Sequence, residues 1–177
     1  MRKIILLVLA AVVPVLAIAG FAAASERSEA AKVASATAQF HDLQTAKDAG
    51  WDVHVADLKG NTCIANGADG AMGDHFANGK LLFDNGVIDA TKPEALVYET
   101  RNDGTFKLVA LEYIVTVADW EKANGAGAAR PKLFGQDFDF SDAANRFGLP
   151  PFYSLHAWIW KDNPSGLLKP WNPKVSC

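Results

Sequence analysis

The stretch that decides the fold is Pro151–Cys177, PFYSLHAWIWKDNPSGLLKPWNPKVSC. Its first part, Phe152–Trp160, is rich in aromatic residues, which favours a β-strand. Because side chains alternate between the two faces of a strand, we expect one face to carry His156, Trp158 and Trp160. The other face is expected to carry Tyr153, Leu155, Ala157 and Ile159. Both faces are largely apolar. The pattern therefore predicts a strand that is buried on both sides and has a histidine at its centre.

The rest of this stretch predicts a looped tail. Three turn-forming pairs follow the strand: Asn163-Pro164, Ser165-Gly166 and Asn172-Pro173. Its apolar residues Leu167, Leu168 and Trp171 are expected to pack back onto the body of the protein, because so apolar a tail should not fray.

The chain contains two cysteines, Cys63 and Cys177. In an exported protein an even count favours a disulfide, which here would tie the C-terminal residue to the loop after the first strand. Closing so long a loop is worth up to about 4 kcal/mol in the chain-entropy model. The alternative is a pair of metal-binding thiolates, which is weaker because neither cysteine has a second one nearby.

Residues 1–24 have the pattern of a signal peptide. Two basic residues precede an apolar run from Ile4 to Ile18, and Ala22-Ala23-Ala24 fits the rule for cleavage after small residues. The run is shorter than the roughly 20 residues of a spanning helix and contains Pro14, which disfavours a retained anchor. We therefore expect a secreted or periplasmic protein, with residues 25–177 as one domain that has no membrane anchor after cleavage.

Composition excludes some partners and some chemistry. The mature chain would carry a net charge of −5, from 15 basic and 20 acidic residues, and it has no basic cluster. It therefore lacks the electrostatic footprint of a nucleic-acid-binding protein. Familiar catalytic signatures such as G-x-S-x-G, the P-loop and H-E-x-x-H are missing from the sequence. A small molecule or a second copy of the chain stays open as a partner.

The elements before the last strand predict an α+β fold. Ser25–Ala49 is rich in helix formers and carries an apolar stripe at helical spacing, which predicts one N-terminal helix. Trp51–Leu58 alternates as a strand, and glycine-rich Lys59–Gly79 predicts a long loop. We expect the helix to pack on a mainly antiparallel sheet of about five strands with long loops, in a single domain.

A hairpin is predicted around Asp103-Gly104, between Pro93–Thr100 and Thr105–Val117. A two-residue turn predicts three cross-strand pairs: Val97 with Ala110, Ala95 with Glu112, and Glu99 with Leu108. Glu99 and Glu112 would then share a face about 13 Å apart, too far to bind one ion together. A one-residue change in register would place them on opposite faces.

Three residues of ligand type interrupt apolar segments: His75 in AMGDHFAN, Glu112 in LVALEYIV and His156 in FYSLHAWIW. A buried carboxylate at Glu112 requires a partner, which can be a basic residue, a histidine or a metal. Two histidines and one carboxylate form a recurring open metal site suited to Zn, Cu, Ni or Fe, with Glu99 as a reserve ligand. The metal-free alternative is a hydrogen-bonded His–Glu pair.

Five segments resemble a family of small, exported, largely uncharacterised bacterial proteins: MGDHFAN (72–78), PEALVYE (93–99), LVALEYIV (108–115), LFGQDF (133–138) and LHAWIWKDNPSGLLKPWNPKVSC (155–177). The motifs MGxHxxN, PExLxYE, VEY and LHxWxWxxNPxGxFxxWNPxVxC recur together in that family, and the resemblance covers nearly all of the mature chain. It implies that five residues are family features: His75, Glu99, Glu112, His156 and Cys177. It implies no activity. The family often has Tyr where Asp74 stands and an aromatic where Leu168 stands, and Asp74 could add a ligand.

The sequence leaves three functions open and does not decide whether the protein is an enzyme. The first is an exported metal-binding protein that uses the two histidines and Glu112. The second is a non-enzymatic envelope binding or stress protein whose aromatic residues form a ligand groove or subunit interface: Trp158, Trp160, Trp171, Phe134 and Phe138. The third is a hydrolase in which a glutamate beside a histidine acts as general base.

Overall fold

The computed structural model describes residues 28–177, so the predicted signal peptide lies outside the described residues. Residues 28–37 form helix α1, a 3-10 helix follows at Ala38–His41, and helix α2 covers Leu43–Asp48. The single helix predicted to Ala49 is not confirmed as one element. The helical segment is interrupted at Asp42, which has an extended backbone. The Asp42 side chain caps helix α2 by accepting a hydrogen bond from the Thr45 amide at 2.7 Å. Within residues 28–177, no helix combines the length and apolar character that crossing a bilayer requires.

An antiparallel sheet of seven strands carries the fold. Its strands are β1 (Val53–His54), β2 (Cys63–Ala65), β3 (Ala71–Ala77), β4 (Ala95–Thr100), β5 (Phe106–Thr116), β8 (Asp139–Ser141) and β9 (Phe152–Ala157). The remaining elements are α3 (Gly79–Leu82), α4 (Val117–Asn124) and a hairpin of β6 (Lys132–Leu133) with β7 (Gln136–Asp137). The order in the sheet is β1-β3-β4-β5-β9-β8, and β2 also pairs with β3. The predicted α+β fold with a mainly antiparallel sheet is confirmed.

The prediction of a long loop over residues 59–79 is wrong, because strand β3 (Ala71–Ala77) lies within this segment. Gly73 has φ +109°, and a Cβ there would collide with the carbonyl of Tyr98 on β4. Gly70 has φ +96°, and a Cβ there would collide with the carbonyl of Asn172 in the tail. The glycines that suggest a loop in the sequence therefore let β3 pack closely against its neighbours.

The register of the β4–β5 hairpin is partly as predicted. Val97 pairs with Ala110 and Ala95 pairs with Glu112, but the register then shifts. Val109 is the extra residue on β5, so Glu99 pairs with Lys107 and not with Leu108.

The sheet is covered on both faces, and each face has its own core. On the helix-covered face, residues of the helical segment pack against the sheet: Val33, Phe40 and Ala46 against Leu96, Tyr98, Leu108, Leu111, Tyr113 and Leu155. On the loop-covered face, the sheet packs against the C-terminal tail: Val97, Val109, Ala110 and Trp158 against Val175, with Ala71 of β3. This second core is smaller, which leaves part of the loop-covered face for polar groups.

The C-terminal tail is fixed to the sheet. Cys63 and Cys177 form the predicted disulfide, with their Cα atoms 5.5 Å apart. Asn172 pairs with Ala71 through two backbone hydrogen bonds of 3.1 and 3.2 Å. The tail therefore continues the loop-covered core without being a regular strand.

The last strand is shorter than predicted, because it ends at Ala157 and not at Trp160. A tight turn follows, in which the Ile159 amide donates to the Ala157 carbonyl at 2.9 Å. The turn moves Trp160 to the helix-covered face, where its indole lies 3.3 Å from the Thr37 hydroxyl.

Candidate metal centre

Three strands bring together three of the residues predicted as ligands. On neighbouring strands β5 and β9, Glu112 is directly paired with His156. On β3, His75 is paired with Val97 of β4, and β4 places the small Ala95 opposite Glu112. The strand neighbours of all three point to the helix-covered face: Phe76, Leu111, Tyr113, Leu155 and Ala157. Alternation therefore puts the two imidazoles and the carboxylate on the loop-covered face.

The three side chains meet in the interior. His75, Glu112 and His156 are 3, 8 and 2% exposed. His75 Nε2 lies 3.3 Å from Glu112 Oε2 and 3.3 Å from His156 Nε2, and His156 Nδ1 lies 3.5 Å from Glu112 Oε1. The two nitrogen–oxygen separations exceed the range of about 2.7–3.2 Å in which N–H···O hydrogen bonds are found, and the two imidazoles are within reach of a long hydrogen bond.

Two of these separations, from His75 Nε2 to Glu112 Oε2 and to His156 Nε2, also fit ligands on one ion. Each residue offers a ligand atom, and the three atoms lie within 4.8 Å of one another. Imidazole nitrogens and carboxylate oxygens bind Zn²⁺ at about 2.0–2.2 Å, so two such ligands on a tetrahedral ion stand about 3.3 Å apart. The cluster formed by His75, Glu112 and His156 could therefore hold a metal ion.

Burial controls the protonation of this cluster. It raises the pKa of Glu112 to about 8 and lowers the pKa of His75 to about 4. Burial, together with the neighbouring His75, also lowers the pKa of His156 well below its usual value. Without an ion, all three groups are thus neutral at neutral pH. A cation would favour the carboxylate, so binding would release a proton.

One polar atom of the cluster has no partner. His75 Nδ1 is buried and makes no hydrogen bond. The Gly73 carbonyl lies close enough to the ring to raise the pKa of His75 slightly, but its geometry falls short of a hydrogen bond to Nδ1. In metal sites, the second ring nitrogen of a ligating histidine usually donates to such a carbonyl.

A metal-free arrangement can also be written for these groups. A protonated Glu112 would donate to His156 Nδ1, and His156 Nε2–H would donate to His75 Nε2. Every bond in this chain would be long, at 3.3 to 3.5 Å, and His75 Nδ1 would stay without a good acceptor.

Glu99 and Asp74 lie outside the cluster. The Glu99 carboxylate, expected as a reserve ligand, accepts two hydrogen bonds from the Lys161 ammonium at 2.6 and 2.7 Å. Asp74 instead binds His54 Nε2 and the Thr100 hydroxyl, each at 2.9 Å. Neither carboxylate is thus available to an ion at His75.

The tryptophans considered for a ligand groove have different surroundings. Trp158 is 2% exposed and donates from its indole to the Lys169 carbonyl at 2.6 Å. Trp160 packs on the other face of the sheet, beside the His41 ring. Trp171 lines a surface groove together with Pro170 and Pro173. Phe138 is buried in the helix-covered core, and Phe134 packs against that core.

The sequence reasoning missed Glu94, which is 1% exposed. Its carboxylate accepts a hydrogen bond from the Ile114 amide at 2.8 Å, and burial raises its pKa to about 8. The available signal was a carboxylate directly before the apolar run ALVY. Because Glu94 accepts from a backbone amide of β5, we interpret it as a structural residue of the sheet.

Comparison of the chain with models of protein families, with curated proteins and with solved structures gives no match. The resemblance of its motifs to an exported family stays a prediction. A function must therefore be inferred from the residues and their geometry.

Proposed function

We propose that this protein binds one divalent transition metal ion through His75, Glu112 and His156. The observation that carries the proposal is that one ligand atom from each residue, on three strands of one sheet, lies within 4.8 Å of the other two. Of these atoms, His75 Nε2 lies 3.3 Å from Glu112 Oε2 and 3.3 Å from His156 Nε2, which is close to the separation of two ligands on a tetrahedral ion.

The donor set narrows the choice of ion. Two imidazoles and one carboxylate suit Zn, Cu, Ni or Fe, whereas Mg²⁺ and Ca²⁺ prefer oxygen ligands. Three protein ligands leave at least one coordination position open, as in catalytic sites, whereas structural zinc sites are closed by four.

We further propose that the protein acts outside the cytoplasm, as a periplasmic or secreted protein. The disulfide between Cys63 and Cys177 supports this, because such bonds persist in oxidising compartments. The signal-peptide pattern of residues 1–24 is in agreement.

Metal content tests the proposal. The full-length sequence is expressed without a tag and exported to an oxidising compartment, and the bound metals are quantified by mass spectrometry. We expect close to one ion per chain in the wild type, and almost none in folded His156→Ala and Glu112→Gln. Two matched controls, His41→Ala and Glu99→Gln, should keep the ion, because His41 is exposed and Glu99 is paired with Lys161.

A folded, metal-free wild type after incubation with Zn, Cu, Ni and Fe would overturn the proposal. The cluster would then be a structural chain of hydrogen bonds. Loss of the ion from Glu99→Gln would instead show that the ligand set is wrong.

A further inference from the structure

A small cavity adjoins the cluster on the loop-covered face. Its volume is about 50 Å³. The polar part of its wall consists of His75 and Glu112, and the rest is apolar. Since two ligands of the proposed ion line the cavity, an open coordination position on that ion would face into it.

The cavity owes its space to small residues on the central strands. Ala77 of β3 pairs with Ala95 of β4, and Ala95 pairs with Glu112 of β5. Both alanines line the cavity, and Ala95 stands directly opposite Glu112. A larger side chain at either position would fill the space next to the ion.

A loop formed by residues 142–151 covers the other side of the cavity with Phe147 and Leu149. The side chain of Asn145 shapes this loop, because its Oδ1 accepts from the Phe147 and Leu149 amides at 3.1 and 3.2 Å. Arg146 ties the loop to the body through an ion pair of 2.8 Å with Asp57. The cover is therefore held in place by specific contacts, and it limits the size of what can enter.

Charge determines which ligand suits this cavity. A divalent ion with one carboxylate and two neutral imidazoles has a net charge of +1. Among the described residues, no ionisable side chain other than Glu112 and His75 lines the cavity. An unbalanced charge beside apolar walls is costly, and one monoanion on the ion would cancel it.

We propose that the open coordination position takes a small monoanion of a few heavy atoms, such as hydroxide or a linear exogenous anion. This inference rests on the proposed metal site. The size follows from the cavity, because a water-sized group needs at least about 10–15 Å³ of such space, so 50 Å³ holds only a few groups of that size.

Cobalt substitution tests the inference with a signal that reports on the ion itself. The exported protein is stripped of metal and loaded with Co²⁺, and one Co²⁺ per chain is verified by mass spectrometry. The visible spectrum is then followed during titration with azide, a linear monoanion of three atoms, and with benzoate, a bulky monoanion. We expect azide to shift the spectrum saturably and benzoate to leave it unchanged.

Three variants test whether the cavity limits the ligand. Ala95→Val should keep Co²⁺ and weaken azide binding at least tenfold. Phe147→Ala should admit benzoate and keep the response to azide, and it remains informative if Ala95→Val does not fold. Ala144→Val is the control, because Ala144 is exposed in the same loop, and it should behave as the wild type.

The outcomes separate this inference from the metal site. If the wild type does not bind Co²⁺ or any other ion, the metal site itself fails. If Co²⁺ binds but the spectrum responds to no anion, the site is closed and the inference is overturned, while the metal site stands. Equal responses of the wild type to azide and benzoate would contradict the size limit.

Discussion

The two faces of the sheet satisfy their buried polar groups in different ways. On the helix-covered face, the hydroxyls of Tyr98 and Tyr113 donate to backbone carbonyls at 2.7 and 2.8 Å. On the loop-covered face, the atoms of the His75, Glu112 and His156 cluster stand 3.3 to 3.5 Å apart. The two tyrosine hydroxyls therefore make short hydrogen bonds to the backbone, whereas the groups of the cluster stand further apart. The wider spacing of the cluster is compatible with the proposed ion between its side chains.

The covers of the two faces differ as well. The N-terminal helices contribute to closing the helix-covered face, whereas the loop-covered face is closed by the C-terminal tail and the loop of residues 142–151, which lie on either side of β9 in the sequence. The Cys63–Cys177 disulfide closes a separation of 114 residues to hold that tail. We therefore expect the helix-covered face to set stability, and the loop-covered face to set function and to depend on the disulfide.

Removal of the disulfide should have the largest effect. In the double variant Cys63→Ala, Cys177→Ala, the free energy of unfolding should fall by up to about 4 kcal/mol, because the unfolded chain gains entropy. Urea unfolding measures the change, with reduced wild type as the control. A loss below about 1 kcal/mol would show that the tail holds its place without the bond.

Leu111→Ala tests the helix-covered face, because Leu111 is fully buried there next to Glu112 in sequence. Truncation of a buried leucine should cost about 3 kcal/mol and leave metal content per folded chain unchanged. The matched control Leu167→Ala should change stability by less than about 0.5 kcal/mol, because Leu167 is 51% exposed. Loss of the ion in Leu111→Ala would mean that the two faces are not independent.

Metal addition tests the loop-covered face by stability. At a free concentration about 100-fold above its dissociation constant, the ion should stabilise the wild type by about 2.7 kcal/mol. Glu112→Gln should show no such gain, because an amide cannot replace the carboxylate ligand. Thermal unfolding with and without metal measures both values, with Glu99→Gln as the control that keeps the gain. Equal stabilisation of the wild type and Glu112→Gln would place the ion elsewhere.

Glu94 gives a smaller, pH-dependent effect at the edge between the two faces. Its pKa is about 8 in the folded protein, against 4.5 as the ordinary value, so the folded state retains a proton that the unfolded state releases. Its contribution to stability is thus complete below about pH 4.5 and is lost as pH rises through 8. Glu94→Gln avoids this loss, so its stability relative to the wild type should rise by at least about 1 kcal/mol from pH 5 to pH 9. A difference that is the same at both pH values would mean that Glu94 is not protonated in the folded state.

Local patterns in the sequence predicted much of the site. Strand alternation and the turn at Asp103-Gly104 gave the pairs Val97–Ala110 and Ala95–Glu112, and cysteine count gave the disulfide. The hairpin pairs depend on residues close in sequence, and two cysteines can form only one disulfide. The contacts of the cluster depend instead on tertiary structure, because Glu112 and His156 meet only when β5 and β9 pair.

Other features depend on tertiary contacts that leave no clear local signal. The extra residue Val109 pairs Glu99 with Lys107, and the Glu99 carboxylate forms an ion pair with Lys161. The tight turn after Ala157 moves Trp160 to the opposite face. In the sequence, Gly73 indicates a loop, but in the fold it allows β3 to pack closely against the Tyr98 carbonyl. In each case the conformation or contact is decided by a distant residue that packs against the segment, and not by the sequence of the segment itself.

Anomalous diffraction from crystals of the exported protein tests the metal site most directly. Data collected at the absorption edge of the metal found by mass spectrometry should show one strong peak per chain, about 2.0–2.2 Å from His75 Nε2, a Glu112 oxygen and a His156 nitrogen. Absence of a peak at this position in protein that contains one metal per chain, or a peak at His54 and Asp74 instead, would contradict the account.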